Sequence, residues 1–256
     1  MRIPRVYVPD IPRRAEQRAH PLSLSELASR HVSTVLRLKP GAPLVLFDGR
    51  GHSYEATLRS ARRNRVEVDI EGEPSIEPAN TRPLTLAVCI ARGERMDVSV
   101  QKATELGVSV IQPIISERTV VRVDASRTDR KLGHWEAVMI AACEQSGRSW
   151  LADVREPCDL DRWLSQCAER DTPDSTLDLM LDCEAAQNLP ELARRTPEPG
   201  AISMLIGPEG GFSEDERARA HSAGLQPVRF GPRVLRAETA AIAAMACVQM
   251  HWGDLR

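Results

Sequence analysis

The stretch Ala201-Ile202-Ser203-Met204-Leu205-Ile206-Gly207-Pro208-Glu209-Gly210-Gly211-Phe212-Ser213-Glu214-Asp215-Glu216 decides the fold. Its opening apolar run has the length of a strand, and Ser213 followed by Glu216 is the capping-box spacing that starts a helix. Between them lies a glycine loop, so the segment reads as strand, loop, helix. Glycine admits positive φ and lets a ligand reach main-chain N–H groups that a Cβ shields. A second such segment follows, Gly231-Pro232-Arg233-Val234-Leu235-Arg236-Ala237-Glu238-Thr239-Ala240, again after an apolar run and before a helix. Ligands of open α/β sheets bind beyond the carboxyl ends of the strands. Both segments are expected at such ends, after Ile206 and Phe230, and together they are expected to form one ligand pocket. Neither phosphate signature is present, G-x-x-x-x-G-K-[ST] or G-x-G-x-x-G, and a glutamate in the loop repels phosphate. An anionic Glu209 suits a ligand that offers hydroxyls, an amine or a positive charge. A plain strand-to-helix turn is the alternative.

The alternation continues outward. Strands are expected at 84–90, 108–115, 177–182, Ala201–Ile206 and 227–230, and helices at 97–106, 131–146, Leu189–Arg195, 213–223 and 238–250. Apolar strands alternating with helices imply a parallel sheet covered on both faces. The front of the chain reads differently, with short strands at 6–8, 43–48, 54–59 and 65–70, turns at Gly41 and Asp48-Gly49-Arg50-Gly51, and one helix over 25–36. This is the pattern of a small β-barrel-like unit, of a kind that often carries nucleic acid on one face. Residues 71–83, with three prolines and few apolar residues, read as a linker. The expected division is a barrel domain over 1–72, a linker over 73–82 and an α/β domain over 83–256.

Composition narrows the class. A chain of 256 residues with 42% apolar content can bury one large core or two modest ones. No stretch approaches the roughly 20 apolar residues of a bilayer span, and Met1-Arg2-Ile3-Pro4-Arg5 lacks a signal-peptide core, so a cytoplasmic protein with no membrane partner is expected. The six cysteines form no C-x-x-C pair and the six histidines no ligand spacing. Reduced thiols packed as small apolar groups are expected, with no metal. Net charge is −2, but residues 1–65 hold 13 Lys+Arg against 5 Asp+Glu, a net of +8, leaving −10 for residues 66–256. The front end can therefore track phosphates, although charge alone fits ordinary surface arginines equally well.

Six ordered motifs resemble one family. They are His31-Val32-Ser33-Thr34-Val35-Leu36-Arg37-Leu38-Lys39-Pro40-Gly41 with Leu46-Phe47-Asp48-Gly49, Gln101-Lys102-Ala103-Thr104-Glu105-Leu106-Gly107, Ser116-Glu117-Arg118-Thr119, Glu144-Gln145-Ser146-Gly147-Arg148, the Gly-Pro-Glu-Gly-Gly loop, and Val234-Leu235-Arg236-Ala237-Glu238-Thr239-Ala240. On these residues the chain is similar to the bacterial 16S ribosomal RNA (uracil-N3)-methyltransferases of the SPOUT class. The resemblance implies a PUA-like barrel followed by an α/β SPOUT domain with a parallel sheet and a deep trefoil knot, a rare exception to unknotted connectivity. It also implies S-adenosylmethionine as cofactor, a homodimer, and 16S rRNA within the 30S subunit as partner. The family target is uridine 1498 in standard rRNA numbering.

Carried over by motif, the cofactor set is Leu181, Asp182, Gly207, Glu209, Gly210, Gly211, Gly231, Val234, Leu235 and Thr239. Methyl transfer to uracil N3 needs the proton removed and the charge growing on the flanking carbonyls stabilised. Arg236 is the candidate for the second task and Glu238 for the first. A mutual charge pair or a dimer contact is the alternative for Arg236, and service to the helix dipole for Glu238. Arg5, Arg37, Lys39, Arg118 and Arg148 are the implied RNA contacts, placed to position phosphates rather than to read bases. Gln101, Lys102 and Glu105 border one helix face, either toward the site or toward solvent. His31 lies in a matched motif, where a lone histidine is more often structural. The family commonly has a proline-containing stretch after the position of Arg148, whereas this chain reads Ser149-Trp150-Leu151-Ala152-Asp153-Val154. Arg92 and Arg95 keep the charge of the family's lysine-like position. A non-catalytic RNA-binding assembly factor of the same fold is the competing class, and a nucleotide-dependent oxidoreductase is disfavoured by the missing fingerprint.

Overall fold

The computed structural model describes residues 3–12, 21–62, 65–121, 125–170, 175–196 and 198–255, so Met1 and Arg2 of the N-terminal segment lie outside the described residues. The chain forms two units, residues 1–79 with 140–151 and residues 80–139 with 152–256.

In the first unit, β1 (Arg5–Tyr7), β2 (Leu22–Ser23), β3 (Pro43–Phe47), β4 (His52–Arg62) and β5 (Arg65–Ile76) form a sheet in the order β1-β3-β4-β5-β2. The β1–β3 pair is parallel and the others antiparallel. Alternate residues point inward, as a half-buried strand requires: Leu44 and Leu46 from β3, Tyr54, Ala56 and Leu58 from β4, and Val66 and Val68 from β5 share one core with Val6. The single helix expected over 25–36 is instead two pieces. Ser25 caps α1 (Glu26–Arg30), its side chain accepting from the Ala28 N–H, and a π-turn then occupies His31–Val35. The Leu36 N–H reaches the His31 carbonyl at 2.9 Å. Residue preferences do not separate this wider winding from an α-helical one, which is why the sequence concealed it.

The expected linker needs correction. β5 continues through Ile76, and the Glu77 N–H donates to the Gly51 carbonyl at 2.8 Å. Residues 140–151 complete this unit: the Tyr7 N–H donates to Glu144 Oε1 at 3.1 Å, Arg5 Nη2 to Ser149 Oγ at 2.8 Å, and Trp150 Nε1 to the Glu77 carbonyl at 2.9 Å. These backbone and side-chain partners bind 73–77 to the sheet, so that part is strand and cap rather than connector.

In the second unit, β6 (Leu84–Cys89), β7 (Val110–Ile115), β8 (Asp153–Val154), β9 (Cys158–Asp159), β10 (Thr176–Leu181), β11 (Ala201–Ile206) and β12 (Gln226–Val228) pair throughout in parallel. The order is β12-β10-β11-β6-β7-β8, with β9 also on β7. The near-continuous burial of β6, β7 and β11 is what a sheet covered on both faces demands. Helices α2 (Glu94–Glu105), α3 (Ala125–Ser146), α4 (Leu160–Ala168), α5 (Leu189–Arg195), α6 (Glu214–Ser222) and α7 (Ala237–Trp252) complete it, α3 passing into the first unit at residue 140. Gln249 of α7 donates to the Leu106 carbonyl at the end of α2, 2.7 Å away. The alternating α/β reading holds. One boundary shifts where it matters, because β12 stops at Val228 and Phe230 lies in the loop beyond it. Among the described residues no helix is long and apolar enough to cross a membrane.

Candidate functional site

Three loops leave the carboxyl ends of β10, β11 and β12 side by side and enclose a cavity of about 360 Å³. Adjacent parallel strands end on one edge of the sheet, so their loops converge there without further cause. From β10 come Leu181, Asp182, Cys183 and Glu184, and from β11 Gly207, Glu209, Gly210 and Gly211. Gly231, Val234 and Leu235 come from the loop after β12. Nine of the ten residues expected to hold a ligand thus line one cavity. The tenth, Thr239, does not: Ala237 and Ala240 of α7 face the cavity, and Thr239 lies exposed on another side of that helix.

Each loop is pinned differently. Gly211 takes φ +67, and its N–H donates to the Pro208 carbonyl at 2.9 Å. Ser213 and Glu216 make the expected capping box, with bonds of 3.2 and 2.8 Å, so α6 starts where the sequence placed it. Arg95, near the start of α2, pairs with Glu209 at 2.7 Å, and Arg118 donates to the Gly210 carbonyl at 2.7 Å. Arg217 from α6 reaches Glu184 at 2.5 Å and Asp182 at 3.7 Å. The Asp182 carboxylate also accepts the Glu184 N–H at 2.9 Å. Arg229 is held through its backbone, its N–H donating to the Gln187 carbonyl at 2.9 Å.

The cavity is therefore lined by the acidic residues Asp182, Glu184 and Glu209 and the basic residues Arg118, Arg217, Arg229 and Arg233, together with apolar residues that include Leu181, Ile206 and Phe212. Such a wall accepts a ligand with charges of both signs and an apolar body. Burial pushes the thiol of Cys89, in the sheet core, up to about 12, so it stays protonated and offers no nucleophile. Among the described residues no group of three or more His, Cys, Asp or Glu could hold a metal ion.

The remaining expected residues fall into three places. Arg236 is the residue before the first turn of α7 and is exposed, while Glu238 lies in that turn with its Oε2 buried and without a hydrogen-bond partner. No ion pair joins them among the described residues. Arg5, Arg37, Lys39 and Arg148 belong to the first unit. The Arg5 guanidinium is turned inward, bonded to Ser149 and lying 5.0 Å from the Phe47 ring centre. Arg37 is exposed in the left-handed region at φ 53, and Lys39 is exposed beside it. His31 faces Glu144 at 3.7 Å. Arg118, expected as a phosphate contact, stands in the cavity wall with its guanidinium on the Gly210 carbonyl of the glycine loop.

Lys102 and Glu105 bond each other at 2.8 Å and Gln101 is exposed, so that face of α2 is a solvated one. Sequence reasoning missed Cys183, Glu184, Arg217 and Arg229 in the wall. The rule that found the glycine loops extends to residues 183, 184 and 229, which follow the ends of β10 and β12, while Arg217 reaches the wall from within α6.

Residues 78–249 match the RNA methyltransferase domain family and residues 28–71 the RNA methyltransferase PUA domain family. Ribosomal RNA small subunit methyltransferase E from Buchnera aphidicola is 29% identical over 99% of this chain and 98% of its own. The crystal structure of a ribosomal RNA small subunit methyltransferase E from Neisseria gonorrhoeae, bound to S-adenosyl methionine, is 35% identical with a TM-score of 0.87 and covers 100% of both chains. A methyltransferase from Legionella pneumophila, solved with bound cofactor SAM, is 34% identical with a TM-score of 0.87 over 98% of each chain. With a domain match that spans most of the sequence and relatives that align end to end, this chain belongs to the RNA methyltransferases of the ribosomal RNA small subunit methyltransferase E family.

Proposed function

We propose that the protein methylates N3 of a uridine in 16S rRNA, the family's target base, using S-adenosylmethionine held in the cavity beyond β10, β11 and β12. One observation carries the reading: carboxylates and glycine backbone converge on a single cavity of about 360 Å³, within the volume range of small-molecule sites. The residues fit such a donor. Glu209, Asp182 and Glu184 suit an amine, ribose hydroxyls and a sulfonium charge, the guanidiniums suit a carboxylate, and the apolar residues suit a base. When bound, the donor supplies an electrophilic methyl group.

The chain's own residues do the rest. Leu181, Asp182, Gly207, Glu209, Gly210, Gly211, Gly231, Val234 and Leu235 hold the donor, with Thr239 at their margin. The uracil must lose its N3 proton as the nitrogen attacks, and negative charge grows on the two flanking carbonyl oxygens. Arg236, exposed beside the cavity loop, stabilises that charge, and a fixed cation aimed at developing charge is the larger part of such catalysis. Glu238 accepts the proton: its Oε2 has no other bond to give up. Arg5, Arg37, Lys39 and Arg148 bear on RNA phosphates, most directly through exposed Arg37 and Lys39. The homodimer, the 30S subunit as substrate, the closure of the first sheet into a PUA-like barrel and the trefoil knot belong to the same proposal.

The test is nucleoside mass spectrometry of 16S rRNA from cells lacking this gene, joined to titration of the purified protein with S-adenosylmethionine. Loss of 3-methyluridine together with donor binding is expected. Full retention of the modified base with no binding at millimolar donor overturns the reading in favour of a non-catalytic assembly factor.

A further inference from the structure

We infer that Glu216 and Arg118 form one positioning device for the donor-binding loop, and that Arg118 serves the donor pocket rather than an RNA phosphate; this rests on the reading of the cavity given above. Glu216 is 1% exposed, unusual for a glutamate, and both its oxygens are spent on main-chain donors. Oε2 accepts the Ser213 N–H at 2.8 Å, the bond of an ordinary capping box. Oε1 accepts the Glu117 N–H at 2.8 Å, which no capping box needs.

Glu117 sits in a tight turn over 116–119, closed by the Thr119 N–H on the Ser116 carbonyl at 3.0 Å and the Ser116 N–H on Thr119 Oγ1 at 2.9 Å. The Ser213 hydroxyl and then the Arg219 guanidinium hold the Glu117 carboxyl below its ordinary value, a second tie between this turn and α6. The next residue, Arg118, returns to the loop that precedes α6. Its guanidinium donates to the Gly210 carbonyl at 2.7 Å, and its stem covers the site where a Cβ on Gly210 would stand, 3.4 Å from Arg118 Cδ.

The contacts close a ring that runs from Glu216 to the 116–119 turn, through Arg118 to Gly210, and along Gly211 and Ser213 back to Glu216. A loop rich in glycine has little stiffness of its own beyond the Gly211–Pro208 bond, so the aim of its main-chain N–H groups depends on what holds it from outside. The ring supplies that hold. A glutamine at 216 keeps one acceptor but turns an amide N–H toward the second donor, which leaves that donor unsatisfied.

The chain contains a built-in control. α5 carries a second capping box, Asn188 with Glu191, in which the glutamate has only the capping task. Donor affinity is measured by titration calorimetry with S-adenosylmethionine, without RNA, on the full chain and on E216Q, R118M, E216Q/R118M and E191Q. Thermal midpoints and 16S rRNA affinity are recorded for each. E216Q is expected to weaken donor binding roughly five- to a hundred-fold, the range for one buried donor left unpaired. R118M, which keeps the stem at an exposed position, is expected to weaken it with rRNA affinity unchanged. The double variant should lose little beyond the larger single loss, because both act through one ring, and E191Q should bind as wild type. Unchanged donor affinity in R118M, equal losses in E216Q and E191Q, or fully additive losses in the double variant each overturn the inference. A wild-type protein that binds no donor overturns the reading of the cavity itself.

Discussion

Gly207→Ala isolates the steric requirement of the donor loop from its conformational one. The φ of Gly207 is not in the left-handed region, so alanine meets no backbone penalty there. Its Cβ, however, would stand 2.9 Å from Phe212 Cε2, 3.2 Å from Cδ2 and 3.3 Å from Cζ, against about 3.5–4.0 Å for carbons at rest. Phe212 is held in place: it is 6% exposed and belongs to the buried cluster that includes Ala87, Cys89, Ile114, Leu205, Ala220 and Leu225. Forcing a methyl into such a core costs about 1–3 kcal/mol, offset by about 0.4–1 kcal/mol from the stiffer unfolded chain. A net loss of about 1–2 kcal/mol follows. Urea unfolding followed by tryptophan fluorescence measures it. Phe212→Leu should relieve the clash, so the double variant should lose about 1 kcal/mol less than the sum of the single losses. An unchanged midpoint for Gly207→Ala, or strict additivity with Phe212→Leu, would show that the ring does not bear on this glycine.

Gly211→Ala should fail for the opposite reason. Nothing lies within 4 Å of the added Cβ, but φ is +67, so a strain of roughly 1–2 kcal/mol is expected with no rescue by Phe212→Leu, read from the same unfolding curves. Thiol labelling of the native protein at pH 8 should modify Cys183 and Cys247, which are exposed, and spare Cys89, Cys143, Cys158 and Cys167 until unfolding. S-adenosylmethionine should slow the labelling of Cys183, which lines the cavity, and leave Cys247 unaffected; equal protection of both would place the donor elsewhere. Burial raises the Glu144 carboxyl above its ordinary 4.5, opposed by the Tyr7 N–H and by His31. The folded chain then holds this proton to higher pH than the unfolded chain, so the group's contribution is full below 4.5 and lost as pH rises through the folded value. Glu144→Gln, measured by thermal midpoint from pH 4 to 8, should gain stability relative to wild type as pH rises, and a gap independent of pH would contradict this.

The parallel sheet was legible because runs such as Ala201–Ile206 are apolar without interruption, which only a strand buried on both faces tolerates. α4 was legible and overlooked: Leu160, Trp163, Leu164 and Cys167 recur at helical spacing and are the buried residues of that helix. β8 and β9 have two residues each and leave no period to read. The glycine loops announced the cavity through their chemistry, and the capping box located α6. The role of Arg118 left no local trace, because its partner Gly210 lies 92 residues away and the contact exists only once a turn on one strand has folded over the loop of another. Likewise nothing near residue 71 told that β5 would continue to Ile76, since the partners that hold 77 come from residues 51 and 150.

That borrowed segment governs how the front of the protein can come into being. Residues 1–79 emerge from the ribosome first, yet Glu144, Ser149 and Trp150, which fill hydrogen bonds of Tyr7, Arg5 and Glu77, are not synthesised until more than half the chain has been translated. Domains ordinarily fold in the order of their synthesis, but here the earlier unit must wait, with its edge open, for a strip encoded inside the later one. A fragment cut after the first sheet inherits the same open edge permanently.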